Sequence, residues 1–497
     1  MEPAHRFDEV YSVSDLHFGG QTGRQIFDLG ETLAKFVDQL RSRPKGRRVA
    51  LVINGDFVDF LAEDPAVYFD PDRAVQKLER IIADAAFSPV WKALQRYTRS
   101  LDRHLIVTLG NHDLELALPW VSERLLDELS AGQPAARGRI LLSFDGSGFL
   151  CGVGSKRILF VHGNEVDTWN LCDHESLRRI GRDLTQGNKV DPWTPNAGTK
   201  MVIDVMNSIK QRYPFIDLLK PEGEAAVPML LAIDPKQTSK LRDVLPSVGR
   251  RIVDGVRRLT GFLSADEAES GKAARAADLR LQGIVQAKLF VSATGADVEE
   301  MLDRVEGRMA RGEDAYQALD RDRNEEYLSV VGAVWKKLRG AKKEDVVREA
   351  FKGLKEDQSF ELADEDQTFE DLDELIGPEI DFIVAGHTHL ERKIPRRNGS
   401  GTYFNSGTWI RLMRLSDAIL DDSKTFGEVL RVLEEGSLES LDRFTYREGG
   451  AFKPLVIRKP AVVSFVQEGE GVKAGLYRVD LKSGRPLQPE ADLEGGS

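Results

Sequence analysis

The sequence predicts an α/β fold that is interrupted by a large, mainly helical insertion. Along the first 170 residues, short apolar runs bounded by Gly, Asp or Asn alternate with segments of helical spacing. This alternation then stops, and strand-like runs return near residue 381. Alternating strands and helices are typical of βαβ units. Because such units build largely parallel sheets that are covered on both faces, we expect a sheet of that kind here.

Five segments are predicted to be buried strands, because each is a short run rich in Val, Ile and Leu between turn-forming residues. They are residues 9–14, 48–53, 104–109, 157–161 and 381–385. Helical spacing of apolar residues predicts helices over 29–40 and 72–100, between the first three strands. Towards the C-terminus we expect a strand and turn at 402–410, a short helix at 425–434 and a closing hairpin at 461–481.

The chain is predicted to divide into a discontinuous domain and an insertion. Residues 1–170 and 376–485 would form the α/β domain, and residues 171–375 a mainly helical insertion. The insertion would serve as a lid, as a partner surface or as an oligomer surface. Its acidic end, at 356–374, is interpreted as a solvated linker. Residues 486–497 are expected to be a disordered tail.

A basic amphipathic segment lies within the insertion at residues 248–263. Two interpretations stay open. Its apolar face could pack on the core while its arginines remain solvated, or it could form a lid or a surface for an anionic lipid or a polyphosphate substrate.

Composition narrows the class of protein. The chain has 497 residues, too many for one ordinary compact unit, and its 41% hydrophobic and 30% charged residues are typical of a soluble globular protein. A net charge of −12 argues against a general polyanion binder. Two cysteines indicate a reducing compartment. With neither a signal-peptide pattern nor a membrane-spanning apolar run, we expect a cytoplasmic enzyme, with peripheral membrane contact left open.

Side chains that can bind metal follow each of the five predicted strands. They are Asp15 and His17, Asp56 and Asp59, Asn111, His112 and Asp113, His162, and finally His387 and His389. Five of the eight histidines lie in these positions. Ligands bind at the carboxyl ends of strands in open α/β sheets, where several loops converge. The sequence therefore predicts a site that is built from all five strand ends.

The donor types indicate which ions such a site would hold. Oxygen and imidazole nitrogen without thiolate suit manganese foremost, with iron, zinc, cobalt or nickel as alternatives, and do not suit a structural cysteine–zinc site. Residues two apart in an extended chain point to the same side, as Asp15 and His17 would, and likewise His387 and His389. Seven ligands are too many for one ion but suit two divalent ions that share a carboxylate, the usual apparatus for displacement at phosphorus.

The motif order DxH, GDxxD, GNHD, a strand ending in His-Gly, and GHxH resembles the calcineurin-like metallophosphoesterase superfamily. The resemblance covers about 1–170 and 376–410. It implies a two-sheet β-sandwich flanked by helices, with a dinuclear metal centre and the activity of a metal-dependent phosphoric ester hydrolase. The nucleophile of in-line attack would be a metal-bound hydroxide.

The resemblance also implies a role for each candidate residue. One ion would be held by Asp15, His17 and His389. The other would be held by Asn111, His162 and His387, with Asp56 bridging the two. His112 would donate a proton to the leaving oxygen, and Asp59 would orient His112. Asp113 is left without a ligand role, and we expect it to cap the helix that follows.

One departure from the family pattern concerns the substrate. Protein Ser/Thr phosphatases of the superfamily carry an Arg after the GDxxD carboxylate, and this chain has Phe60 there, which cannot make a bidentate phosphate contact. This argues against a phosphoprotein substrate. Another cation would have to bind the substrate, and Arg24, Lys156 and basic residues of the insertion are candidates.

Several substrate classes stay open. "NGDFVDF", "GNHD" and "VHGNEVDTWN" are similar to motifs of the UDP-2,3-diacylglucosamine pyrophosphatases, although those enzymes commonly have Arg where His112 stands. The substrate would then be a lipid-nucleotide, and otherwise a phosphorylated small molecule or a nucleotide. The alternatives are a nuclease or phosphodiesterase that is active only with a partner and, least favoured, a non-catalytic scaffold. Nucleic acid is not favoured, given the net charge.

Overall fold

The computed structural model describes residues 3–167, 170–196 and 360–487. It also describes isolated positions between the last two ranges: 199, 202–203, 207, 213–219, 344, 347–348 and 351.

The strands of the described part are these, in chain order: β1 (His5–Phe7), β2 (Glu9–Val13), β3 (Val49–Asn54), β4 (Arg103–Thr108), β5 (Ile140–Ser143), β6 (Phe149–Val153), β7 (Lys156–Phe160), β8 (Phe382–Ala385), β9 (Glu391–Pro395), β10 (Thr402–Ser406), β11 (Arg411–Met413), β12 (Thr445–Glu448), β13 (Ala451–Pro454), β14 (Val456–Arg458), β15 (Ala461–Glu468) and β16 (Gly471–Arg478). Its helices are α1 (Gly30–Arg41), α2 (Ala74–Ala83), α3 (Ser88–Arg99), α4 (Pro119–Ser130), α5 (Pro134–Arg137), α6 (His174–Thr185), α7 (Gln367–Leu375), α8 (Asp417–Leu420), α9 (Ser423–Glu435) and α10 (Leu438–Arg443). Short 3₁₀ turns lie at Phe60–Ala62, Leu114–Ala117 and Pro214–Leu218.

Two six-stranded sheets form the framework. The first has the order β16-β15-β2-β3-β4-β5, in which β2 to β5 are parallel and β15 is antiparallel to β2. The second has the order β1-β6-β7-β8-β10-β9, with β7, β8 and β10 parallel to one another. Short strands β11 and β14, and β12 and β13, form two separate antiparallel pairs.

Alternation along the strands explains how the layers pack, since successive side chains point to opposite faces of a sheet. In β3, Ala50 and Val52 join the apolar cluster between the two sheets, together with Phe160 and Phe465 from neighbouring strands. The intervening residues Val49, Leu51 and Ile53 pack in the cluster formed with α1, α3 and α4. The first sheet is therefore covered by helices on one face and by the second sheet on the other.

The predicted two-sheet sandwich flanked by helices is confirmed. All five predicted strands are present, as β2, β3, β4, β7 and β8, and so are the short helix α9 and the hairpin of β15 and β16. The parallel sheet is covered on both faces, as expected, by helices on one face and by the second sheet on the other. The helical segment 72–100 is divided into α2 and α3.

Most of the predicted insertion, including the basic segment 248–263, lies outside the described residues, as does the tail from residue 488 onwards. The domain boundaries therefore stay a prediction. Where its two ends are described, they pack on the sandwich. Leu177 of α6 lies in the cluster between the first sheet and α1, α3 and α4, which we call the helix-side cluster. Phe369 and Leu372 of α7 pack against the second sheet. The interpretation of 356–374 as a solvated linker is wrong for α7.

No helix of the described ranges is long and apolar enough to cross a lipid bilayer.

Glu115 is a buried carboxylic acid beside the helix layer. Its Oε1 accepts a hydrogen bond from the backbone N–H of Asp70 (3.0 Å), and Lys77 Nζ lies 3.5 Å from Asp70 Oδ2. Burial raises the pKa of Glu115 to about 7, despite the nearby positive charge of Lys77. Because this folded-state pKa lies above the ordinary value, the contribution of Glu115 to stability is fully present below about pH 4.5 and is lost as the pH rises through 7.

We therefore expect Glu115→Gln to increase the free energy of unfolding at pH 8.5 by about 1–3 kcal/mol, with no increase at pH 4.5. Glutamine keeps an oxygen for the Asp70 N–H and removes the buried charge. Urea unfolding at the two pH values, with EDTA throughout, measures the difference. An equal change at both pH values would contradict this account.

Candidate metal centre

Five loops meet at one edge of the sandwich, because the strands that lead into them end there. From the first sheet, β2, β3 and β4 lead to Asp15 and His17, to Asp56 and Asp59, and to Asn111 and His112. From the second sheet, β7 leads to His162, and β8 leads to His387 and His389. The predicted site residues thus come from neighbouring strands of two sheets, although they are spread over the chain from residue 15 to residue 389.

Three groups of potential ligand atoms are close together in the described residues, one of them formed by His17, Asp59 and His112, and the other two share Asp15. Potential ligand atoms of Asp15, His17 and His389 lie within 4.8 Å of one another, and His389 Nε2 is 3.4 Å from Asp15 Oδ1. Those of Asp15, Asp56 and His162 form a second group of the same dimensions. The two groups share Asp15 and occupy adjoining positions.

Asp56 lies between the two sides of the site. Its Oδ2 is 3.6 Å from His17 Nε2 on one side and 3.2 Å from His162 Nε2 on the other. Its Oδ1 accepts a hydrogen bond from the backbone N–H of His112 (2.9 Å), which holds the loop after β4 against it. The His387 ring is next to His162, with ring centroids 5.4 Å apart. The position of Asp56 Oδ2 between His17 and His162 is the one that a bridging carboxylate requires.

The backbone of the site is strained. Eight non-glycine residues of the described ranges have positive φ, and five of them are predicted ligands. These five are Asp15, His17, Asp56, His387 and His389, with φ between 46° and 68°. The left-handed region is unfavourable for residues with a Cβ, and residues held there cluster at functional sites.

Hydrogen bonds fix which ring nitrogen each histidine presents. His162 Nδ1 lies 2.9 Å from the carbonyl oxygen of Asn54, which can only accept, so Nδ1 carries the proton and Nε2 is left to bind a ligand. The Nδ1 atoms of His17 and His112 both lie 3.2 Å from Asp59 Oδ2, which leaves their Nε2 atoms facing the site. Asp59 is anchored in turn, because its Oδ1 accepts from two backbone N–H groups.

Three buried polar atoms of the site have no hydrogen-bond partner. They are His17 Nε2, His162 Nε2 and Asn111 Oδ1. Most buried polar atoms in folded proteins have at least one partner, so three in one place require an explanation. Two imidazole nitrogens and an amide oxygen beside buried carboxylates are donors that a borderline divalent cation takes, so the residues present fit such an ion.

Comparison with known proteins supports the metallophosphoesterase superfamily. Residues 10–215 match the family model of the calcineurin-like phosphoesterases. The chain contains a calcineurin-like phosphoesterase domain. Neither the curated proteins nor the solved structures gave a match. The matched range ends before β8, so the family model covers the first three loops and His162, while the structure brings His387 and His389 to them.

A calcineurin-like phosphoesterase is a phosphoric ester hydrolase, and its family uses divalent metal ions. The Asp and His groups of this phosphoesterase domain could hold such ions. The carboxylates and histidines of the site also stabilise one another's charges. Burial opposes ionisation of Asp56 and Asp59, yet the neighbouring histidines hold the pKa of each carboxyl well below its usual range. Burial also opposes protonation of His162, but Asp56 and Asp15 outweigh it and raise its pKa to about 10.

The expected helix cap at Asp113 is wrong. Its carboxylate makes no capping hydrogen bond and instead accepts from the backbone N–H groups of Gly110 (2.7 Å) and Phe57 (2.8 Å). It thereby joins the loops after β3 and β4. Burial and the charge of Asp56 raise the pKa of Asp113 to about 8.

Two sequence-based expectations about the substrate can be placed in the phosphoesterase domain. Phe60 is fully buried in the helix-side cluster and does not present a group to a phosphate. Lys156 is at the start of β7, whose other end leads to His162, and its Nζ is 2.7 Å from Asp381 Oδ1. Lys156 is therefore not part of this site. Arg24 is exposed in the loop that follows His17.

Three partners of the site were missed in the sequence. Asn54 accepts from His162 through its carbonyl oxygen, as described above. Asp167 Oδ2 lies 2.7 Å from His387 Nε2, and Asn170 Oδ1 accepts from Asn111 Nδ2 at 3.5 Å. Asp167 and Asn170 lie in the stretch "VHGNEVDTWN" that follows β7, but the sequence assigned them no role.

Glycines before the ligands allow close approach of the loops. A Cβ atom at Gly110 would lie 2.2 Å from Asp56 Oδ1, and the φ of Gly110 is outside the left-handed region. We expect Gly110→Ala to lower kcat/KM for a phosphate ester about 100-fold, because displacement of Asp56 by about 1 Å costs that much. The matched control is Gly138→Ala, whose nearest contact would be 3.9 Å away. Equal activities of the two variants would contradict the expectation.

Proposed function

We propose that this phosphoesterase domain is a dinuclear metal-dependent hydrolase that cleaves a phosphate ester or phosphodiester by in-line attack. The observation that carries the proposal is that His17 Nε2, His162 Nε2 and Asn111 Oδ1 are buried without a hydrogen bond, while both imidazole nitrogens lie within 3.6 Å of Asp56 Oδ2. Asp15, His17 and His389 would hold one ion. Asn111, His162 and His387 would hold the other, and Asp56 would bridge them. Manganese is the ion we expect first, from the mixed oxygen and nitrogen donors.

Two bound divalent ions would supply a hydroxide nucleophile at neutral pH and offset charge on the phosphoryl group. The protein's own residues orient the site. Asp59 Oδ2 holds the rings of both His17 and His112 through their Nδ1 atoms, so one carboxylate fixes a proposed ligand and a proposed acid together. His112 presents Nε2 to the site, and a proton held there would be donated to the leaving oxygen. Asp59 would stabilise the positive charge of protonated His112.

The buried position of Phe60 supports a substrate other than a phosphoprotein, because no arginine stands where protein phosphatases of the superfamily bind the phosphate. A phosphorylated small molecule, a nucleotide or a diester remains. Lipid-nucleotide pyrophosphatase activity is the alternative. It rests on sequence likeness, since the basic segment 248–263 lies outside the described residues.

Hydrolysis of aryl phosphate monoester and diester reporters tests the proposal. We expect turnover by the full-length protein with added Mn²⁺, and its loss on addition of excess EDTA. Recovery of activity when Mn²⁺ is restored would exclude irreversible denaturation. A protein that binds no divalent ion and hydrolyses neither reporter would contradict the proposal.

A further inference from the structure

A chain of hydrogen bonds links two proposed ligands of the same ion through the loop that follows His162. His387 Nε2 is 2.7 Å from Asp167 Oδ2. The same Asp167 oxygen accepts from Asn170 Nδ2 at 2.7 Å. Asn170 Oδ1 then accepts from Asn111 Nδ2 at 3.5 Å. One end of this chain is on the loop after β8 and the other is on the loop after β4.

The connecting loop is itself fixed in place. It begins at His162, whose backbone N–H donates to the Glu165 carboxylate at 3.0 Å, as does that of Gly163 at 2.6 Å. Asn164 Nδ2 donates to the backbone oxygen of Asn170 at 3.1 Å. The side chain of Asn170 is buried, while that of Asp167 is about a quarter exposed. The loop therefore carries Asp167 and Asn170 at set positions relative to His162.

The chain decides which atoms face the site. A carboxylate can only accept, so the proton of His387 is on Nε2, towards Asp167, and Nδ1 is the nitrogen left for a cation. Asn170 Oδ1 takes the amide N–H of Asn111, so the Asn111 oxygen turns away from Asn170, and that oxygen has no partner. His162 comes from the same loop. Two of the three proposed ligands of one ion, His387 and Asn111, are thus oriented by Asp167 and Asn170, and the third begins the same loop.

The other ion position is oriented differently. His17 is held through Nδ1 by Asp59, which belongs to the loop after β3. Asp15 accepts from the neighbouring Ser14 hydroxyl and from the backbone N–H of His387 (3.1 Å). Substitutions in the 162–170 loop should therefore affect the two positions unequally.

We propose that Asp167 and Asn170 are positioning residues that set the affinity of the ion position formed by Asn111, His162 and His387. The inference rests on the proposed dinuclear centre and adds a determinant of how many ions the centre holds. Residues that orient metal ligands are worth about 10–100-fold in metal affinity. Loss of Asp167 would turn a two-ion site into a one-ion site over a wide range of metal concentration.

Two measurements test the proposal. The metal-free full-length protein is titrated with Mn²⁺ by calorimetry, and its metal content is measured after dialysis. We expect two ions per chain in the natural protein. In Asp167→Asn, one binding step should keep its affinity and the other should weaken about 10–100-fold. Electron paramagnetic resonance at one equivalent of Mn²⁺ should then show an isolated ion. Asp173→Asn is the matched control, because it removes a nearby carboxylate charge at the N-cap of α6. This variant should bind two ions with natural affinities.

Asn170→Ala is the second variant, in case Asp167→Asn does not fold, and its effect should be in the same direction. Two ions with natural affinities in both variants would overturn the inference and leave the proposed function standing. Equal weakening of both steps, together with a lower melting temperature of the metal-free protein, would also overturn it, since that is the result of a purely structural role. Fewer than two ions in the natural protein would instead overturn the dinuclear centre.

Discussion

Asp56→Asn is expected to lower kcat/KM for a phosphate ester by at least about a thousandfold, because charge stabilisation by bound ions is worth several kcal/mol. The variant keeps an oxygen for the His112 N–H but removes a carboxylate charge whose Oδ2 lies within 3.6 Å of both His17 and His162. The pKa of Asp56 lies well below its usual range, so the carboxylate that the variant removes is ionised at neutral pH. We also expect the variant to bind no more than one ion tightly.

Initial rates over a range of Mn²⁺ concentrations measure the loss of activity. The metal content of the same samples measures how many ions are bound. The matched control is Asp422→Asn, because Asp422 caps α9, is exposed, and lies in a different part of the protein. Asparagine also caps helices well, so this variant should keep the natural activity. If Asp56→Asn retained activity within threefold of the natural protein, Asp56 could not bridge two ions.

His112→Gln is expected to lower kcat about 10²- to 10⁴-fold while two ions remain bound, because general acid catalysis has that magnitude. The backbone N–H of residue 112 still donates its hydrogen bond to Asp56 Oδ1 after the substitution. A proton donor matters most when the leaving group is a poor one. The loss should therefore be small for 4-nitrophenyl esters and large for phenyl or alkyl esters.

Steady-state kinetics with esters of graded leaving-group acidity separates this role from a structural one. His104→Gln is the control, since His104 is on β4 at the end away from Asn111 and packs against Phe7. A loss of equal size for all leaving groups, or the loss of a bound ion, would show that His112 does not act as the acid.

The position of the site could be predicted from the sequence because parallel strands bring their carboxyl ends to one edge. Each of the five strands is rich in Val, Ile or Leu and is followed by turn-forming residues, so its end was clear, and the polar residues that follow it had to lie close to those of its neighbours. The strands β5 and β9 were not predicted. β5 has only three apolar residues in a row and is half-buried, and β9, with the sequence ERKIP, is mostly polar.

Contacts between loops could not be predicted in the same way. The local sequence around Asp113 is that of a helix cap, yet its carboxylate accepts from Phe57 of the β3 loop and from Gly110 of its own loop. The sequence does not show that Asp167 and Asn170 reach His387 and Asn111, because that depends on how the loops pack. The left-handed backbone at the ligands likewise depends on the surrounding structure, because Asp and His adopt it only in a minority of cases.

Anomalous diffraction from crystals soaked in Mn²⁺ tests the central claim most directly. The account predicts two peaks about 3.5–4 Å apart. One would lie among Asp15, His17 and His389, the other among Asn111, His162 and His387, and Asp56 would lie between them. A single peak, or peaks that do not contact Asp56, would contradict it.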